Sequence, residues 1–87
     1  MLTPEQIEAG KSYACKFKIQ TMLDDQGRIP VASDATLKGV GEYKGFGVIK
    51  VRDLDSRLFK VIDSASGREL VIGFEDVYDI DEANYAG

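Results

Sequence analysis

The side chains that most often perform catalysis are scarce in this chain of 87 residues, which has no histidine and one cysteine. Histidine is the commonest general base and transition-metal ligand, so neither a Ser-His-Asp nor a Cys-His arrangement can be built. Cys15 alternates with Tyr13 and Phe17, and this pattern favours a buried small apolar side chain over a reactive thiol. The sequence therefore predicts a protein that is not an enzyme and that holds no cofactor.

Two further motifs match ligand sites only in part. Gly39-Val40-Gly41 begins like a dinucleotide-binding fingerprint, but Lys44 stands where the third glycine is needed. The segment 75–82 carries Glu75, Asp76, Asp79, Asp81 and Glu82. It lacks the residue order of a calcium loop, so a solvated acidic edge, a basic partner and a metal ion are the alternative interpretations.

Charge patterning points to a second kind of surface. Fifteen acids and eleven bases give a formal net charge of −4, which argues against a general nucleic-acid binder. Five bases nevertheless occupy outward positions on predicted neighbouring strands: Lys16, Lys18, Lys50, Arg52 and Lys60. They form a candidate nucleic-acid face. The alternative is that these bases only keep strand exteriors hydrated and deter edge pairing.

The elements that position these side chains are clearest in the second half of the chain, Phe46–Ile80. The runs FGVIKVRD, LFKVID and RELVIGF mix β-branched or aromatic residues with charged ones. The intervening turns, LDSR and SASG, consist largely of turn-forming residues. In so short a chain this antiparallel meander predicts a mainly β protein, a small barrel of about five strands.

Period-two alternation predicts which side chains of these strands face the core. The predicted inward set is Tyr13, Phe17, Ile49, Val51, Phe59, Val61, Ile72 and Phe74. Lys50 and Arg52 are predicted to face outward. Phe46 and Val48 have the opposite parity to Ile49, which predicts a bulge near the intervening glycine. The strand LFKVID has apolar groups on both faces and is predicted to be central.

The first half of the chain is less regular. Thr3 suits an N-cap and Gly10 a left-handed stop, so a short helix is predicted over residues 3–9. Alternation predicts a half-buried strand over Ser12–Leu23. Residues 24–45 are predicted to form one long excursion with partial β-pairing. At the other end we predict a helical turn over 75–78, a closing strand over 79–81 and a frayed tail over 82–87.

In order of elements, residues 11–81 resemble the SH3-like barrel superfamily, which includes Tudor domains. The resemblance is carried by Tyr13-Ala14-Cys15-Lys16-Phe17 at the first strand and by Val71-Ile72-Gly73-Phe74-Glu75-Asp76 at the fourth. It implies one domain spanning residues 1–87, with a long first loop. The chain departs from peptide-binding SH3 domains in having no tryptophan.

Three other resemblances bear on function. Tudor-type readers enclose a cation with aromatic side chains, and the corresponding candidates here are Tyr43, Phe46, Tyr78 and Tyr85. A short N-terminal helix before a barrel is similar to Sm-like proteins, which assemble into rings. In its small size the chain also resembles accessory proteins of phages.

The leading hypothesis is a small binding or assembly module that acts as a protein–protein adaptor, with self-association as one form of it. Its candidate partner surface consists of apolar residues at outward positions: Met22, Leu54, Leu58 and Ile62. The alternatives are a nucleic-acid-associated barrel and a structural subunit of an Sm-like oligomer. No basic segment precedes an apolar stretch at the N-terminus and no long apolar run occurs, so a cytoplasmic location without membrane contact is expected.

Overall fold

A computed structural model describes residues 2–30 and 37–82, with the side chain of Glu82 excepted. Five strands and two short 3-10 turns make up this part of the chain. The strands are β1 (Tyr13–Asp24), β2 (Leu37–Asp53), β3 (Leu58–Asp63), β4 (Glu69–Gly73) and β5 (Val77–Glu82). The 3-10 turns span Pro4–Gln6 and Phe74–Asp76. The mainly β prediction is confirmed.

All five strands belong to one antiparallel sheet with the order β4-β3-β2-β1-β5. The predicted closure into a barrel is wrong, because β4 and β5 remain the two edges of this sheet. The ladder between β5 and β1 covers only the first part of β1, from Tyr13 to Phe17. Beyond Phe17, β1 faces β4 across a cleft and forms no ladder with it.

The longest element is β2, whose 17 residues pair with β1 from Tyr13↔Ile49 to Asp24↔Leu37. The segment from Leu37 to Gly45, predicted to belong to a long excursion with only partial β-pairing, is therefore regular strand throughout. β2 and not β3 is the central strand. Because glycine has a low β-propensity, the sequence pattern underestimates the tendency of the first part of β2 to form a strand. The hydrogen-bonded ladder to β1 holds this part in strand conformation.

A bulge in β2 reverses the facing of the residues that follow it. The register with β3 shifts between Ile49 and Val51, leaving Lys50 as the extra residue. Val51, predicted to be buried, is 52% exposed, and the Arg52 side chain turns inward instead of outward. The bulge was predicted near Gly47, but the β1–β2 pairing is continuous there. Phe46 simply faces outward.

The core lies inside the curved sheet. Seven of the eight side chains predicted to face inward are buried, and Val51 is the exception. Cys15, Leu23, Val77 and Ile80 are also buried, and Ile7 enters from the N-terminal segment. The rings of Phe59 and Phe74 stack with centroids 4.3 Å apart at the centre of this core.

The predicted N-terminal helix over 3–9 is wrong in extent. Only Pro4–Gln6 forms a 3-10 turn, in which Gln6 Oε1 accepts a hydrogen bond of 2.8 Å from the Thr3 N–H. The backbone turns extended at Ile7, which places this side chain in the core. Two helical turns are marginal on their own, so burial of Ile7 decides the conformation. Gly10 does adopt the predicted left-handed conformation, with φ 86°.

The C-terminal elements are shifted relative to the prediction. The helical turn spans Phe74–Asp76 instead of 75–78, because Val77 begins the longer strand β5. Ile80 of β5 accepts a hydrogen bond from the Leu2 N–H at 2.8 Å, which ties both ends of the described chain together. The predicted tail over 82–87 lies, apart from Glu82, outside the described residues.

Among the helical turns of residues 2–30 and 37–82, none has the length and apolar character of a membrane span.

Candidate protein-binding surface

The predicted partner surface divides into two regions. Met22 pairs with Val40, and both are exposed near the tip of the β1–β2 hairpin. Leu54 lies in the β2–β3 turn, beyond the opposite end of β2, and Leu58 starts the next strand. Ile62 is half-buried on the outer face of β3. The structure therefore brings Leu54 and Leu58 together and separates Met22 from them.

Two residues absent from the prediction complete an apolar surface around Leu54 and Leu58. Val51 and Val71 lie on either side of Lys60, because Lys60 pairs with Val51 of β2 and with Val71 of β4. We call this surface the outer groove; its residues are Val51, Leu54, Leu58, Lys60 and Val71. They line a depression of about 470 Å³. Leu54 and Val71 are 63% and 61% exposed. Three apolar side chains thus remain uncovered around one ammonium group.

A second depression, which we call the seam cleft, separates β1 from β4. Its walls are Lys18–Thr21 of β1 and Leu70–Gly73 of β4, with Glu42 and Asp76 at its rim, and its volume is about 600 Å³. Ile19 and Leu70 are partly buried against the core. Val71 lines both depressions, so β4 forms the wall between them.

The predicted basic stripe is only partly assembled. Lys16 and Lys18 lie on the outer face of β1, and Lys18 pairs with Lys44 of β2. Lys50 is exposed at the bulge, and Lys60 lies two strands away from β1. Lys16 Nζ is 3.5 Å from Asp79 Oδ2, which reduces the positive charge available there.

Arg52 leaves the basic stripe because the bulge turns its side chain toward the core. Its Nη1 donates to the carbonyl oxygens of Ile7 and, at 3.2 Å, of Glu5. The guanidinium also lies 5.7 Å from the centroid of the Phe74 ring. Arg52 therefore attaches the N-terminal segment to the sheet, where a planar donor group suits several acceptors.

Of the four aromatic residues proposed for a cation cage, the three that the structure describes do not converge. Tyr43 faces inward, where its ring contacts Phe17 at a centroid distance of 6.0 Å. Phe46 and Tyr78 face outward on either side of Lys16, as the pairings Lys16↔Phe46 and Lys16↔Tyr78 require. Tyr85 lies outside the described residues.

A buried carboxylate that the sequence analysis missed connects β2 to the β3–β4 turn. Asp63 is 1% exposed and accepts hydrogen bonds from Tyr43 Oη at 3.1 Å and from Ser66 Oγ at 2.8 Å. Desolvation, together with the charge and hydrogen bond of Asp63, raises the pKa of Tyr43 above its usual 10.0. The signal in the sequence was an acid at an inward parity position directly before a turn.

We expect Asp63→Asn to lower the pKa of Tyr43 toward its usual range, because the substitution removes the negative charge that opposes phenolate formation. Ultraviolet absorbance of the phenolate against pH measures this, with Tyr43→Phe identifying the signal. Because the pKa of Tyr43 is higher in the folded than in the unfolded protein, the protonated side chain contributes to the free energy of unfolding below pH 10. This contribution is lost as the pH rises through the raised pKa. An unchanged Tyr43 titration in the variant would contradict this account.

Cys15 is buried, as its strand position predicted, and burial raises the pKa of its thiol to about 11. At pH 8 the thiolate fraction is then about a hundredfold lower than for a thiol with its usual pKa of 9.0. We expect the folded protein to react with a chromogenic disulfide reagent at least about a hundredfold more slowly than the protein unfolded in guanidinium. Comparable rates in the two states would show that the thiol is accessible.

One carboxylate of the acidic segment 75–82 is paired with a lysine. Asp79 contacts Lys16, and nowhere in residues 2–30 and 37–82 do three or more metal-ligating side chains converge.

No protein-family model, curated protein or solved structure matches this chain.

Proposed function

We propose that the protein is a binding module for a protein partner and that the outer groove is its contact surface. The observation that carries this proposal is the exposure of Val51, Leu54 and Val71 around Lys60 on one side of the sheet. Apolar side chains grouped on a surface favour association because their contact with a partner removes them from water.

The composition of the outer groove fits a protein contact better than a small-molecule site. It is an open depression whose apolar side chains are bordered by Asp53 and Asp55. Protein interfaces combine an apolar centre with a polar rim in this way. Lys60 at the centre provides one charged hydrogen-bond donor, which favours a partner that offers an acceptor there.

The proposal also draws on the resemblance to SH3-like barrels, which rests on the order of elements. A 3-10 turn lies between β4 and β5, and β5 pairs with β1 next to a long β1–β2 hairpin. Since a fold alone does not determine a function, this likeness contributes only an analogy to the proposed binding module.

Affinity capture with matched variants tests the proposal. Val51→Glu combined with Leu54→Glu places two carboxylates in the outer groove, whereas Val40→Glu places one carboxylate at an exposed position near Met22. We expect partners captured by the unaltered protein to be retained by the Val40 variant and lost with the double variant. Equal capture by all three proteins would contradict the outer groove as the contact surface.

A second candidate function, binding of single-stranded nucleic acid, is favoured by one observation. Phe46 and Tyr78 flank Lys16 on the outer face, and Lys18 pairs there with Lys44. Exposed rings and bases on a strand surface suit stacking with contacts to phosphates. This hypothesis predicts binding at low salt that weakens steeply as salt rises and that Phe46→Ala abolishes. The absence of a gel shift with DNA or RNA oligonucleotides at low salt would exclude it.

A further inference from the structure

We propose that the partner contributes an extended segment that pairs with the free edge of β4 and fills the seam cleft, as an added strand of the sheet. This inference rests on the proposed function and specifies the form of the partner. Strand addition supplies affinity through main-chain hydrogen bonds and selectivity through pockets for alternate side chains.

The backbone of β4 has a defined set of free groups. Asp63 N–H donates to the Arg68 carbonyl at 2.8 Å, and Phe74 N–H donates to the Arg57 carbonyl at 3.1 Å. Antiparallel ladders alternate, and the register between these two bonds is continuous, so Leu70 and Ile72 also bond to β3.

The residues between them, Glu69, Val71 and Gly73, therefore direct their N–H and C=O groups toward the seam cleft. Since β4 ends the sheet, these groups have no strand partner within residues 2–30 and 37–82. They form the main-chain edge at which an added strand can bond.

Within residues 2–30 and 37–82, the opposite wall of the cleft is also a strand edge without a partner strand. Ser64 N–H donates to the Phe46 carbonyl, so the backbone groups of Phe46 face the side of β2 on which β3 lies. Because backbone groups alternate along a strand, those of Tyr43 face β1 and bond to Ile19. Since Ile19 directs its backbone groups toward β2, its neighbours Lys18 and Gln20 direct theirs away from β2 and toward the seam cleft. The β5 ladder stops at Phe17, so it does not reach this part of β1.

The size and lining of the cleft suit a short extended segment. Four residues on each wall, at about 3.3 Å per residue, give a length of about 13 Å. Side chains of an added strand alternate between the two faces of the sheet. One set would cover the partly buried Ile19 and Leu70, and the other would lie beside Val71 in the outer groove. We therefore expect a segment with apolar residues at alternate positions.

Charge distinguishes a foreign segment from a second copy of this chain. Glu69, Glu75 and Asp76 lie on or next to β4, and in the described part of the chain none of them forms a salt bridge. Pairing β4 with β4 of a second copy would bring both sets of carboxylates to one edge, and each chain carries a net charge of −4. Like charges facing each other destabilise strand pairs, so a segment containing lysine or arginine fits better.

Selection from a displayed library of random twelve-residue peptides supplies the probe. We expect the recovered peptides to have apolar residues at alternate positions and at least one lysine or arginine. Residue-resolved hydrogen exchange should show that binding protects the N–H groups of Val71 and Gly73, whereas Leu70 and Ile72 are already protected in the free protein. Peptides that bind without protecting Val71 and Gly73 would overturn the strand mode.

Two variants at one position separate main-chain from side-chain recognition. Val71→Pro removes the N–H that faces the cleft and keeps the β3–β4 bonds, and edge strands tolerate proline there. Val71→Thr keeps this N–H and the branched shape but makes the side chain polar. We expect the proline variant to weaken peptide binding by about 10-fold or more and the threonine variant by less than about threefold. Thermal melting confirms that both variants remain folded.

The outcomes distinguish the strand mode from the proposed function. If the threonine variant loses as much affinity as the proline variant, the outer groove is the contact surface and strand addition is wrong. If selection yields no binding peptide and capture yields no partner, both proposals fail. Light scattering that shows a dimer, abolished by Val71→Pro, would replace the foreign segment with a second copy.

Discussion

Gly47→Ala is expected to prevent folding or to lower the free energy of unfolding by more than about 3 kcal/mol. Gly47 is buried in β2, opposite Cys15 and Asp63. A Cβ atom built at this position overlaps the carbonyl oxygen of Ile62 and lies 2.9 Å from its carbonyl carbon. Because these are backbone atoms of the adjacent strand, only movement of β3 can relieve the overlap. Urea titration followed by circular dichroism measures the loss.

Gly41→Ala is the matched control, because it makes the same substitution in the same strand. A Cβ atom there lies 3.0 Å from Leu23 Cδ1, the end of a side chain that can rotate. Alanine also restricts the unfolded chain more than glycine does, so we expect a change within about 1 kcal/mol. Equal effects of the two substitutions would show that β3 does not approach Gly47 as closely as the structure has it.

Phe59→Ala is expected to lower the free energy of unfolding by about 3–5 kcal/mol. The Phe59 side chain is fully buried and stacks on Phe74. Val61, two residues later on the same face of β3, is also fully buried. Its removal leaves a cavity that the curved sheet cannot close without moving several strands. It also removes support from the Phe74 ring, over which the Arg57 guanidinium lies at 5.1 Å.

Phe46→Ala provides the comparison, since Phe46 is a strand residue of the same type with 60% of its surface exposed. We expect it to change stability by less than about 0.5 kcal/mol. The same urea titrations measure both variants. A loss at Phe46 as large as that at Phe59 would mean that Phe46 is covered, for example by self-association, which repeating the titration at several protein concentrations would reveal.

Strand alternation made much of the fold predictable. Tyr13, Phe17, Phe59 and Val61 were assigned to the core from their spacing, because side chains of a regular strand must alternate between faces. The turns after Asp53 and Asp63 were predictable for a local reason. Each carboxylate accepts hydrogen bonds from backbone groups two or three residues later, an interaction that needs no distant partner.

The candidate site was predictable only in part. Leu54 and Leu58 were identified as a possible partner surface, but Val51 and Val71, which join them, were not. Val51 was assigned to the core because alternation was continued through Lys50, where the structure has a bulge. Met22 was grouped with Leu54 by chemical type, although the long β1–β2 hairpin separates them. Asp63 was missed because its burial depends on Tyr43, twenty residues away in sequence.

Interactions between neighbours in sequence determined most of the strands, the turns and the facing of most side chains, since these depend on the covalent period of the chain. The tertiary structure alone decided where the ladder between β2 and β3 shifts, how far β5 extends along β1, and that the sheet stays open at β4. Each of these depends on the relative placement of backbone segments far apart in sequence. A hydrogen-bonded ladder can shift by one residue without any change in local preference, and such shifts expose Val51 and leave the edge of β4 free.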